Sequence, residues 1–304
     1  MMQFFRETNI DFIKTRWYAI TVSGLLVLAG LVSMILKGGP KYGVDFLGGT
    51  MIQVHFPSTP DLGKVRDAVG NAGFPDAEIK TFGERNEILI RVQKQEVGTE
   101  TSEAILSALR RGFSDNAPEV RLVESVGPKI GKELREAAVW ATLFSLVMIL
   151  VYVSFRFEFI FAVGAIVALF HDVLVPLGFF SLLNLEVNLT VIAAFLTIVG
   201  YSVNDSIVVM DRIRENRRLM RGITIEKLIN ASVNQTLSRT ILTSLTVMMV
   251  VLILFFFGGD VIHGFAFAMV VGTIAGSYST IYIASPIVVE WEKRRLLKQS
   301  RPKT

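Results

Sequence analysis

Long unbroken apolar runs dominate this chain. A helix rising about 1.5 Å per residue needs about twenty residues to cross roughly 30 Å of hydrocarbon. Six stretches have that length and character: 17–36, 138–155, 159–183, 189–210, 240–257 and 264–289. An even number of spans returns both termini to one side of a membrane.

Between the first two runs the pattern changes to that of soluble sequence. Residues 50–56 alternate as a strand, and 61–71 set Leu62, Val65 and Val69 on one side of a helix. Strands at 77–82 and 87–92 follow, joined by a turn over 83–86. A second amphipathic helix over 99–113 carries Ile105, Leu106 and Leu109, and a last strand covers 119–126. The order β-α-β-β-α-β is the ferredoxin-like pattern. The fold class expected is therefore an α-helical membrane protein of six transmembrane helices, with one extracytoplasmic α+β ferredoxin-like domain between the first and second. Its parts are a cytoplasmic N-terminus 1–16, transmembrane helix 17–36, a periplasmic domain 37–132, and the remaining five helices within 133–304, with a cytoplasmic loop 211–238 and tail 291–304. Gly38, Gly39 and Pro40 before the domain, and Gly127, Pro128 and Gly131 after it, are either hinges or ordinary loop chemistry.

Composition supports the membrane reading: 51% of residues are hydrophobic and 19% charged, a balance unusual for a soluble domain of this size. Charge then sets orientation. Arg6, Lys14 and Arg16, then Arg212, Arg214, Arg217, Arg218, Arg221 and Lys227, then Lys293, Arg294, Arg295, Lys298, Arg301 and Lys303 all fall on one side, whereas 184–188 and 258–263 contain no Lys or Arg. The positive-inside rule makes the basic side cytoplasmic. A net charge of +4, gathered at these loops, speaks for topology and against nucleic-acid binding. The sequence has no cysteine, which excludes disulfides, thiolate metal sites and cysteine nucleophiles. No His or acidic cluster has metal-ligand spacing and no glycine-rich phosphate loop is present, so no metal, cofactor or catalytic site is expected, and the chain is not read as an enzyme.

The candidate chemistry lies in the membrane. An ionisable side chain at the bilayer centre costs about 2.5–3.5 kcal/mol on insertion scales, so Asp205 in the fourth run is a functional candidate. Thr197, Tyr201 and Asn204 share its helical spacing, and such a polar face belongs against protein or water. Asp205 is either a proton carrier or a permanently paired structural residue. Arg239, at the mouth of the fifth run with Thr236, Thr240, Thr243 and Thr246 on its face, either snorkels to headgroups or pairs with Asp205 as a proton gate. His171 and Asp172 sit midway along the third run; adjacent helical residues point about 100° apart, so they are not expected to serve one site, and Asp172 is a relay or a structural hydrogen-bonder. Gly264, Ala268, Gly272 and Gly276, continued by Thr280 and Ala284, recur every fourth residue in the sixth run, a small-residue ridge for close helix packing. Residues 223–237, with Ile225, Leu228, Ile229 and Val233 on one side, suit an interfacial helix.

Three segments carry a family resemblance: Gly43-Val-Asp-Phe-Leu-Gly-Gly-Thr50, Ser125-Val-Gly-Pro128, and Val199-Gly-Tyr-Ser-Val-Asn-Asp-Ser-Ile-Val-Val-Met-Asp-Arg-Ile-Arg-Glu-Asn216. With the span number, the outside domain and the basic loop, the chain resembles the SecF family of protein-export membrane proteins, relatives of the resistance-nodulation-division exporters. The resemblance makes Gly43, Asp45, Gly48 and Gly49 motif positions. It also implies a bacterial inner-membrane location, a SecD partner, association with the SecYEG translocon, and use of the proton motive force to complete transfer of unfolded preproteins after ATP-driven insertion. It places the proton pathway on Asp205 and Arg239. Two readings stay beside it: half of a proton-driven lipid or small-molecule exporter of the same superfamily, and a purely structural partner subunit. An aspartic intramembrane protease is disfavoured, because Ser202-Val-Asn precedes Asp205 where one such group has Gly-x-Gly.

Overall fold

The computed structural model describes residues 8–82, 84–92 and 100–299; Arg6, Gly83, Thr99, Arg301 and Lys303, invoked above, lie outside them. In chain order the elements are α1 (Arg16–Leu36), α2 (Val44–Leu47), β1 (Gly49–His55), α3 (Leu62–Asn71), β2 (Glu78–Phe82), β3 (Glu84–Val92), α4 (Glu100–Gly112), β4 (Glu119–Val126), α5 (Pro128–Arg156), α6 (Phe159–Leu182), α7 (Leu189–Leu219), α8 (Ile225–Phe257), α9 (Asp260–Ser279), a π-helical turn (Thr280–Ala284) and α10 (Ser285–Gln299). They divide into two compact units, 42–140 and the remainder.

In the first unit the strands form one antiparallel sheet of order β2-β3-β1-β4. Alternation along β1 and β3 sends Ile52, Val54, Ile88 and Ile90 to one face, where Val65 and Val69 of α3 and Ile105 and Leu109 of α4 cover them completely. Asp61 starts α3 by accepting the Gly63 N–H at 2.8 Å on Oδ1. The Gly-rich motif has a packing reason. Gly48 holds φ +76°, and a Cβ there would lie 2.8 Å from Pro128 Cα, while one at Gly131 would lie 3.0 Å from Gly48 N. Gly48 and Gly131 are thus demanded by close backbone approach of α2 to the start of α5, rather than by flexibility.

Among the described residues six helical stretches are long and apolar enough to cross a bilayer, namely α1, α5, α6, α7, α8 and the α9–α10 stretch. They are unequally covered: 61% of the apolar window is buried in α6, against 11% in α1 and 6% in α5. The core is therefore α6, α7 and α9. Gly30 of α1 meets Gly178 of α6 so closely that a Cβ on Gly30 would stand 2.5 Å from the Gly178 Cα, and Ser33 Oγ bonds Ser181 Oγ at 2.8 Å in the next turn.

Two expectations are corrected at the basic end. The stretch 223–237 is not an interfacial helix: it belongs to the 33-residue α8, and Leu228, Ile229 and Val233 bury against Val209, Met210 and Ile213 of α7, Val288 of α10 and Phe12 and Ile13. The 211–238 loop likewise shrinks to 220–224, because α7 runs on to Leu219. At the opposite end α9 begins at Asp260, leaving Gly258 and Gly259 as the connection from α8. An apolar stripe finds a protein surface when neighbouring helices overrun the bilayer, and single-chain periodicity does not distinguish that surface from lipid.

Candidate functional site

The polar groups of the membrane unit gather along the facing sides of α6, α7, α8 and α9. Asp205 of α7 is 6% exposed. Its Oδ1 accepts from Thr240 Oγ1 of α8 at 2.6 Å, whereas its buried Oδ2 has no hydrogen-bond partner among the described residues. The Thr280 hydroxyl of the π turn lies near this carboxyl, yet it is engaged with Gly276 O at 3.2 Å and Ser206 Oγ at 3.1 Å. Arg239 precedes the Thr240 donor; its side chain is exposed, within electrostatic range of Asp205, and makes no ion pair among the described residues. The hydroxyl of Thr240 is therefore the direct partner of Asp205, and Arg239 a nearby charge.

The stripe expected beside Asp205 divides. Tyr201 OH donates to Ser244 Oγ of α8 at 2.7 Å, and Ser244 bonds Ser277 Oγ of α9 at 2.6 Å. Asn204 and Thr197 instead face outward, Thr197 bonding back to Ala193 O at 2.8 Å. The inner residues of α7 are Ser202, Asp205 and Ser206, all buried. Ser202 and Ser206 were missed because serine is common on apolar helices; their i, i+3, i+4 spacing about Asp205 was the available signal.

Asp172 of α6 is fully buried. Ser202 Oγ and Ser279 Oγ both donate to its Oδ2, the second at 2.7 Å. His171 Nδ1 lies 2.9 Å from Asp172 Oδ1, so the expectation that these neighbours cannot serve one site is wrong. The imidazole is long enough to bring Nδ1 back across the angle separating the two side chains. The small-residue ridge of α9 faces α7: a Cβ on Gly264 would touch Val191 at 3.3 Å, one on Gly272 would collide with Ile198, and one on Gly276 would stand 3.2 Å from Ser202 Cβ. Ala268 is fully buried.

The π turn was not anticipated. Pro286 marks it: proline has no N–H to bond the carbonyl four residues back, so the helix accommodates a wider turn there, with Ser285 Oγ donating to Thr280 O at 2.8 Å. The turn carries Thr280 beside Asp205.

Six membrane-length helices, an appended α+β domain and buried carboxyls held by hydroxyls define a polytopic membrane protein with an intramembrane acid site. Residues 106–294 match the family model described as protein export membrane protein SecD/SecF, C-terminal. The protein translocase subunit SecF of Endomicrobium trichonymphae is 42% identical over 95% of this chain and 94% of that protein, and that of Magnetococcus marinus 46% identical over 95% and 94%. The crystal structure of SecDF from Thermus thermophilus, a translocon-associated membrane protein, superposes with a TM-score of 0.85 at 41% identity over 95% of this chain. A SecDF crystal structure in a super-membrane-facing form gives 0.73 at 39% identity over 98%. The chain spans 39% and 40% of those two SecDF chains. It belongs to the SecF family of protein translocase subunits.

Proposed function

We propose that this chain is the SecF-type half of a proton-driven accessory to protein export, working with a SecD-type half and the SecYEG translocon on unfolded preproteins that have already entered by ATP-driven insertion. The proposed setting is a bacterial inner membrane, with the basic end carrying Arg16, Arg212, Arg217 and Lys293 in the cytoplasm. Proton pathway residues are Asp205 and Arg239.

One observation carries the reading: the Asp205 carboxyl is buried among helices with one oxygen held by Thr240 and the other unpartnered among the described residues. A half-satisfied carboxyl in low dielectric has an oxygen at which a proton can be accepted and given up. Arg239, exposed beside Thr240, favours the ionised form when it approaches and releases that preference when it withdraws. One charge moved across 100 mV is worth about 2.3 kcal/mol, enough to bias a bundle whose two packings differ by a few kcal/mol. The partner half is supported by Asn204, whose outward amide lipid would leave unsatisfied.

The test is reconstitution with the SecD-type partner and translocon in vesicles, with a preprotein arrested partway and a proton gradient imposed. The natural chain is expected to complete transfer, and Asp205→Asn to assemble normally but lose the gradient-dependent part. Equal completion by both would sink the reading.

A further inference from the structure

The membrane unit holds a second buried acid that the proposed proton path does not use. Asp172 has three donors on it: Ser202 of α7 and Ser279 of α9 share Oδ2, and the third contact, on Oδ1, is His171 Nδ1. His171 Nε2 in turn meets Ser23 Oγ of α1 at 2.5 Å, and its ring stacks on Tyr278 of α9 at 6.1 Å between centroids. One carboxyl thereby ties together α1, α6, α7 and α9. The glycine at 276 permits this: a Cβ there would stand 3.7 Å from Asp172 Oδ2 and 3.2 Å from Ser202 Cβ, so any larger side chain would hold Ser202 and Ser279 apart.

An ionised carboxylate offers about four lone-pair sites and accepts all three donors. A proton on Oδ2 turns that oxygen from a charged acceptor of two hydrogen bonds into a hydroxyl that donates one and accepts another, so the two charge-assisted serine bonds give way to weaker neutral ones. Around Asp172, α7 presents Ser202 and, one turn on, Asp205, and α9 presents Ser279, while His171 joins the site to Ser23 of α1 and to the ring of Tyr278, whose hydroxyl is committed to Ala19 O at 2.6 Å. Among the described residues no Lys or Arg forms an ion pair with Asp172, and its ionisable contact is His171.

We propose that Asp172 is a proton-operated latch, which when ionised clasps α7 to α9 through Ser202 and Ser279, and when protonated loosens its hold on them. Release begins at Ser202, three residues from Asp205, and at Ser279, which leads directly into the π turn. The latch stands on the geometry around Asp172 and does not require Asp205 to carry protons.

The absence of cysteine lets spin labels be placed on cysteines introduced at Leu219, at the end of α7, and Leu297, in α10, which are 70% and 66% exposed. In the full chain assembled with its SecD-type partner in lipid nanodiscs, pulsed electron resonance across a pH series is expected to show one distance at high pH and a second population at low pH. Asp172→Asn, which cannot ionise, is expected to show the second population at every pH, a complete loss of pH dependence. Ser279→Ala keeps the acid, removes one clasped donor, and is expected to populate the second distance already at high pH; it serves if the Asn variant fails to fold. Any part of the response that comes from Asp205 is lost in Asp205→Asn while the part governed by Asp172 is expected to remain, so failure of the proton-path reading leaves the latch standing. A natural chain without pH response, a response surviving in Asp172→Asn, or a Ser279→Ala chain that keeps the natural distance at high pH would overturn the latch.

Discussion

Asp205 and Asp172 are both acids inside apolar helices, yet they are held differently. Asp172 has both oxygens engaged, whereas Asp205 has one. In the proposed roles Asp205 passes protons along the pathway and Asp172 is a proton-operated clasp, and a single substitution to Asn at each should separate the two phenotypes. Outside the membrane Glu124 on β4 gives a pH prediction. Burial first, and the Asp45 charge second, raise its carboxyl above the ordinary glutamate value of 4.5. The folded domain therefore binds this proton more tightly than the unfolded chain does, so the stabilisation is complete below about 4.5 and is lost as pH rises through the raised folded value. Glu124→Gln should flatten that segment of the stability profile, and because the group is half-exposed the change should be modest. Denaturant unfolding of the domain signal in the detergent-solubilised full chain, followed against pH, measures it.

At the scale of elements, α8 is the clearest case of a helix working in two environments. Its second half is apolar, while its first three turns grip the N-terminal segment through side-chain amides. Asn230 Oδ1 accepts the Phe12 N–H at 2.9 Å and its Nδ2 donates to Ile10 O at 3.0 Å; Asn234 Oδ1 accepts the Ile10 N–H at 2.9 Å and its Nδ2 donates to Ile10 O at 2.8 Å. Each net hydrogen bond is worth about 1 kcal/mol, and together they hold Phe12 and Ile13 in the apolar cluster. Replacing both asparagines by alanine should release this strap. Limited trypsin cleavage at Lys14 and Arg16 should then accelerate severalfold, and an unchanged cleavage rate would show that the apolar contacts alone suffice. Ion pairs join the same end: Arg217 reaches Glu158 and Glu292, each at 3.1 Å, Arg16 reaches Glu290 at 2.8 Å, and Lys293 reaches Glu226 at 2.5 Å. Basic residues that record topology in the sequence thus also pin α10 to α1, α7 and α8.

For the whole molecule the informative quantity is uneven coverage. α6 is surrounded while α5 and α1 are nearly bare; lipid satisfies bare apolar surface but not the amide of Asn204, which faces out from α7. A photo-crosslinking residue at 204 should therefore give an adduct with the SecD-type partner in co-expressed membranes, read as a band of summed mass, and adducts with lipid alone would place the partner elsewhere.

Span number, the ferredoxin-like order of strands and helices, and the presence of an acid at 205 inside an apolar run were legible in the sequence, because each depends on local physics. About twenty apolar residues must cross a bilayer, alternation must follow a sheet, and a charge in hydrocarbon demands a reason. The tertiary structure alone decided which hydroxyl meets which carboxyl. Thr240 rather than Arg239 bonds Asp205, His171 folds back onto Asp172, and Asn204 leaves the stripe it shares with Asp205 on a helical wheel. These choices turn on distances of one or two ångströms between residues remote in the chain, set by how closely Gly276 and its neighbours let α9 approach α7 and by the extra width of the turn before Pro286. A helix period states which side chains share a face; it contains no information on which face its neighbour presents.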